Sequence, residues 1–298
     1  MRALTARVEV RVASFEPRSL PLAVARSGLA LSQLITLVFT PDHALFFSDS
    51  ATPTGIRCSG LHDISLWCLA GSSAGGMHLS RLGTILVLVA ALSGYRPRWT
   101  CIPQWYVTTS MAIAMPMPEG GNNIAAIVTM LLIPPSLGDF REWQWGRLDP
   151  PISPSWRGSA YAALLIIRMQ IALIYVDAAL SKLAVPQWRD GSAMYTVFVD
   201  PNAGLPAGLR DLAAPLLVSR VVIASITWGT IALELGIALC ALPGIRLRRI
   251  GFFLACVLHL GIMVSMGLIS FAVTMISTTL VLWVDGMGPW PPRLRARN

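Results

Sequence analysis

Apolar positions dominate this chain in long runs, broken by short stretches rich in glycine, proline and charge. The first run, Leu22–Phe39, gives way to a polar loop from Pro41 to Asp63. The second falls within Ile64–Leu92, clearest over Leu82–Leu92, its start blurred by Gly71–Gly76 and its end closed by the basic, proline-broken Tyr95–Arg98. Trp99–Met115 and Asn123–Ile133 are shorter, and predict either two short spans or one re-entrant hairpin. A connection rich in Trp, Pro and charge, Ser136–Arg157, leads to Ser159–Lys182 and Leu216–Leu242. Gly251–Trp283 is too long for one crossing and divides at Gly267–Ser270. About 20 apolar residues cross the hydrocarbon of a bilayer. The pattern predicts an all-α, multi-pass transmembrane helical bundle of about eight spans, with six as the alternative, forming one membrane domain over 1–298.

Composition supports this pattern. The chain is 54% hydrophobic and 13% charged, whereas ordinary soluble domains carry about 25% charged residues. The net charge of +8 would bring nucleic acid to mind in a soluble protein. Here the arginines sit between apolar runs, where orientation in a membrane is the simpler reading. With the N-terminus inside, the inner segments hold Arg2, Arg7, Arg11, Arg18, Arg26, Arg96, Arg98, Arg141, Arg147, Arg157, Arg246, Arg248, Arg249, Arg293, Arg295 and Arg297. The outer side keeps Arg57, Arg81, Lys182, Arg189, Arg210 and Arg220. This asymmetry predicts both termini in the cytoplasm, with residues 1–20 a basic inner segment and 286–298 a basic inner tail. The basic start followed by an apolar run resembles a signal peptide, but no small-residue cleavage site follows directly, so a retained first span is expected.

The candidate chemistry centres on Arg168–Gly191. Arg168, Tyr175 and Lys182 are seven residues apart, so they stay within roughly 40° of one another on a helix. Gln170 and Asp177 form a second stripe, roughly opposite. Ionisable groups within a span face a protein interior or a wet cavity, which places this helix at the centre of the bundle. Arg168, Glu234 and His259 each lie about nine residues from the inner end of their spans, roughly 13 Å deep. A buried polar layer is expected there, with Arg168 paired to Glu234 and His259 beside them. Lys182 lies at the opposite end of its span, where snorkelling to the headgroups is the alternative to a chemical role. Cys101, Cys240 and Cys256 read as core fillers, while Cys58 and Cys68 flank an outer polar loop, as a disulfide or as two free thiols. No Cys or His spacing suits a metal, and there is no phosphate-binding loop, dinucleotide turn or nucleophile elbow.

Arg168-x-Gln170, Tyr175, Ala179-Leu180-Ser181-Lys182-Leu183, Trp188 and Gly191 together resemble the core motif of the HTTM superfamily, membrane domains similar to the vitamin K-dependent gamma-carboxylase. Glu234 in ALELG and His259 in VLHLG fall where that superfamily has a helix glutamate and a histidine. The resemblance is closer still to the bacterial sporulation-delaying protein B family, through Cys58–Cys68, Gly120–Asn123, Thr227–Gly229 and His259–Phe271, and it covers most of the chain. The first resemblance implies an enzyme in which Lys182 is the base toward a reduced quinone, with Tyr175 and Trp188 shaping its pocket. The chain ends just after its last span, without the large extracytoplasmic domain of the carboxylase, and Asp177 stands where that motif is usually apolar. The second resemblance implies a role in maturing or releasing a secreted antimicrobial peptide, beside a small partner protein and the peptide precursor. A transporter or channel gated by the Arg168/Glu234/His259 layer is the alternative from another class.

Overall fold

The computed structural model describes residues 9–10, 12–46, 55–56, 58–71, 73–116, 120–148, 152–201 and 203–286. Arg2, Arg7, Arg11, Arg57, Arg293, Arg295 and Arg297, and all but one residue of the expected basic tail, lie outside them. Among the described residues the main helices are α1 (Leu20–Phe39), α2 (Ala74–Ser93), α3 (Pro97–Ala114), α4 (Gly120–Leu131), α5 (Pro154–Ala184), α6 (Arg220–Ala241), α7 (Ile245–Met266) and α8 (Ile269–Thr279), the last running on as a 3-10 turn over Leu280–Trp283, with a further helix, Ala207–Leu217, in the connection before α6. Among the described residues there is no strand, only an isolated bridge between Tyr95 and Trp143.

The apolar runs became helices, the last of them two. Proline opens α1, α3 and α5, where a missing N–H does no harm. The Ser73 hydroxyl accepts from Gly76 N at the start of α2. Gly267 is left-handed (φ 68°) and divides the last long run into α7 and α8. Five helices — α1, α2, α5, α6 and α7 — are long and apolar enough to cross a membrane. Leucines and valines such as Leu79, Leu82, Leu86 and Val89 on α2, and Phe253, Val257 and Leu260 on α7, lie exposed. A soluble monomer rarely presents so many large apolar side chains, whereas lipid accepts them.

Helix α1 joins two cores. Leu22, Ala25 and Leu29 pack with α4, α5, α6, α7 and α8; Ala30, Leu34 and Leu37 pack with α2, α3 and Trp67. Helices α5, α6 and α7 pack as successive neighbours, and α8 returns across α1 and α4. Cys58 and Cys68 are joined by a disulfide that ties the loop before α2. Cys101, Cys240 and Cys256 are free.

Several arginines assigned above to the inner surface are buried and committed to the fold. Arg26 donates to Gln104 Oε1 (3.2 Å) and Gln144 Oε1 (3.3 Å) and also bonds Thr100. Arg141 pairs with Asp139 at 2.7 Å, both side chains being 6% exposed. Arg248 donates to Val284 O at 3.0 Å. These arginines are therefore accounted for by partners within the fold.

Candidate functional site

The end of α5 is where chemistry gathers. Lys182 Nζ is 2.5 Å from Glu234 Oε1 on α6. Helix geometry explains the pairing: every Cα–Cβ bond tilts toward the helix N-terminus. The contacts of Lys182 with Glu234 and of Arg168 with Ala241 show α5 and α6 to be antiparallel. The amine of Lys182 leans back toward Ala178, and the carboxylate of Glu234 leans toward it from the other helix. The same tilt carries Arg168 away from Glu234.

The expected Arg168–Glu234 pair is thus corrected. Arg168 is fully buried, and it donates to Ala241 O (3.1 Å) and Leu242 O (2.5 Å) at the end of α6. Unpaired carbonyls at a helix C-terminus attract a cation. Helix α5 also begins five residues before the expected start of its span, so counting from span ends misjudged the relative depths. The three-residue polar layer does not form: Arg168 sits with carbonyls, Glu234 with Lys182, and His259 with Tyr175. Snorkelling is corrected as well, because the Lys182 amine faces a carboxylate inside the protein.

Beside the ion pair, Tyr175 Oη and His259 Nε2 are 2.7 Å apart and buried. The His259 ring also meets Phe271 edge-on, with centroids 5.4 Å apart. Two polar atoms here have no hydrogen-bond partner among the described residues: Glu234 Oε2 and His259 Nδ1. Buried polar atoms are nearly always paired, and these two unpaired atoms lie close to the Lys182–Glu234 pair.

A cavity of about 520 Å³ opens beside Glu234, lined by Lys182, Trp188, Glu234, Phe198, Leu233 and Phe271 among others. This lies within the range of small-molecule pockets, and its walls are overwhelmingly apolar. Trp188 caps the amine, with Nζ 5.4 Å from the ring centroid, within cation–π reach. The loop carrying Trp188 is pinned to α6 by Thr227, whose hydroxyl donates to Gly191 O (3.0 Å) and accepts from Met194 N (3.2 Å). Gly191 is left-handed (φ 83°), and a Cβ there would come within 3.0 Å of the Ala224 Cβ. The loop can therefore lie this close to α6 only with glycine at that turn. In the same loop, the Ser192 hydroxyl, and then its backbone N–H, hold the Asp190 carboxyl below the usual aspartate range.

Reasoning from the sequence singled out Lys182, Tyr175, Trp188, Glu234 and His259, and the fold brings them to one region. It missed the pinning role of Thr227 and the apolar wall from Phe198 to Phe271. The TWG and HLG motifs noted for the resemblance mark both.

The fold and this site define a helical membrane protein with a charged pair at the wall of an apolar cavity. The chain is 30% identical over 275 residues to sporulation-delaying protein SdpB of Bacillus subtilis (strain 168), covering 92% of this chain and 84% of that protein. It is also 30% identical over 255 residues to the uncharacterized protein YitO of the same organism, covering 85% of this chain and 81% of that one. The chain belongs to the SdpB family. No family model matches it. No solved structure matches it either.

Proposed function

We propose that this protein acts within the cell membrane to mature or release a secreted antimicrobial peptide of the sporulation-delaying type. A small partner protein and the peptide precursor are its companions in this reading. The observation that carries it is the Lys182–Glu234 pair at the wall of a 520 Å³ apolar cavity, in a chain similar to a sporulation-delaying protein. An apolar chamber that opens between membrane helices suits a hydrophobic segment, and a paired amine and carboxylate give it a polar anchor. In this reading all eight helices cross or enter the bilayer, both termini are cytoplasmic, and the Lys182 end of α5 faces outward, where a secreted peptide emerges.

Replacing Lys182 in a producing cell tests it. Lys182→Ala abolishes the killing zone on a sensitive lawn while the protein still accumulates in the membrane. Lys182→Arg separates two roles, since arginine keeps the charge but does not deprotonate. Full production by Lys182→Arg assigns a fixed cation, and loss assigns proton transfer. Unchanged production by Lys182→Ala removes the reading.

A second reading, an HTTM-type quinone-dependent enzyme, draws on the orphaned Glu234 Oε2. That acceptor suits a quinol hydroxyl, and the cavity has the size and apolar walls to hold a ring beside Lys182. A reduced quinone would supply the reducing chemistry. In this reading Lys182 is the base, with Glu234 Oε1 2.5 Å from its amine. Oxygen consumption by purified protein with a reduced quinone, abolished in Glu234→Gln, is the outcome that favours this reading. The gated-channel reading required Arg168, Glu234 and His259 in one layer, and the positions of these residues remove its basis.

A further inference from the structure

The core-facing side of α5 is accounted for by Arg168, Tyr175 and Lys182, but the opposite side is not. Asp177 lies two residues from each of Tyr175 and Ala179, which are 2% and 0% exposed. At about 100° per residue it therefore points roughly 160° away from the core. It is exposed, and neither it nor the half-buried Gln170, seven residues earlier on the same stripe, has a partner among the described residues. Around them lie Met169 (42% exposed), Leu173 (63%), Val176 (36%) and Leu180 (58%). Their alternating three- and four-residue spacing is that of a helix-packing seam.

A carboxylate on this face is out of place in lipid, where ionisable groups turn inward or pair. Asp177 lies about 4–5 Å inside the C-terminal end of the apolar stretch that closes at Leu180. The side-chain tilt directs its short arm back toward the bilayer centre, not out to the nearer headgroups. Escape to the surface is open to a long lysine but not to this residue. A second copy of the chain does not serve as the missing partner. A two-fold axis along the membrane normal presents each face to itself, which sets Asp177 against Asp177.

We propose that this face of α5 docks a transmembrane helix of a different protein, one carrying a lysine or arginine at the depth of Asp177. The apolar seam supplies shape, and Asp177 and Gln170 supply the polar recognition that fixes depth and rotation. The surface lies across α5 from the cavity and stands independently of what the cavity does.

The test uses the full chain in phosphatidylcholine vesicles with labelled model helices: a polyleucine span bearing one lysine at the matching depth, and an all-leucine span. Energy transfer reports association. Membrane-embedded polar contacts of this kind make the lysine helix about three- to thirty-fold tighter than the leucine helix. Asp177→Leu removes that preference. Asp177→Lys reverses it in favour of a helix bearing aspartate, which also shows that the variants fold. Equal association of the two helices with the natural chain overturns the proposal. So does a lysine preference that survives in Asp177→Leu. Two further outcomes overturn it by naming another occupant: Asp177-dependent self-association of the natural chain, or displacement of the lysine helix by phosphatidylethanolamine.

Discussion

Two of the regions that bury charge in this molecule treat it differently. Between α1, α3 and the segment after α4, Arg26 sits among Gln104, Gln144 and Thr100. The amides answer in turn: Gln104 Nε2 donates to Arg26 O, and Gln144 Nε2 donates to Ala23 O and Ser27 Oγ. The space beside this network amounts to about 20 Å³, too small for more than about one water. Between α5, α6 and α7, Lys182, Glu234, Tyr175 and His259 also pair, but Glu234 Oε2 and His259 Nδ1 stay without a partner among the described residues, and Glu234 lines a cavity of about 520 Å³. A saturated network holds helices together, whereas an unsaturated one beside a void is equipped to receive something.

The comparison is tested most strongly at Arg26. Arg26→Met leaves Gln104 and Gln144 without their central donor, and stability falls by about 3 kcal/mol. Thermal unfolding in detergent reads this, and an unchanged midpoint would break the comparison. The disulfide comes next. Replacing Cys58 and Cys68 with serine frees a ten-residue loop, a loss of about 2–3 kcal/mol by chain entropy. It lies by the α1–α3 core, so peptide production per folded molecule stays at the natural level. Tyr175→Phe is milder: one hydrogen bond to His259 is lost, about 1 kcal/mol. Production nevertheless falls more than for Arg26→Met once each is corrected for folded protein. The reverse order would place function in the wrong half.

The smallest effect concerns the loop over the cavity. Asp190 is held below its ordinary value by Ser192, so its contribution is present above that value and fades as pH falls through the depressed one. Ser192→Ala moves the titration midpoint upward, as read by the carboxyl carbon shift in nuclear magnetic resonance. A midpoint that stays put would show the Asp190–Ser192 contact absent in solution.

Helix positions were legible because apolar runs and glycine or proline breaks are local signals. The split at Gly267 needed only a run too long for one span and a residue free to turn left-handed. Lys182, Glu234, Tyr175 and His259 also stood out as polar residues in apolar surroundings, and the fold brings them together. Who pairs with whom was not legible. Counting residues from span ends locates Cα atoms, but the pairing of Lys182 with Glu234 depends on side chains that tilt toward each other across antiparallel helices. Arg26 was read as a marker of the inner surface because its partners, Gln104 and Gln144, lie 78 and 118 residues away. Nothing nearby in the chain announces them.

The Arg168 guanidinium has a consequence for synthesis. Two of its acceptors, Ala241 O and Leu242 O, stand 73 and 74 residues further along the chain. At 5–20 residues per second, the ribosome delivers them roughly 4–15 s after Arg168 itself. The seal that Arg168 makes between α5 and the end of α6 thus forms only after both helices have been synthesised.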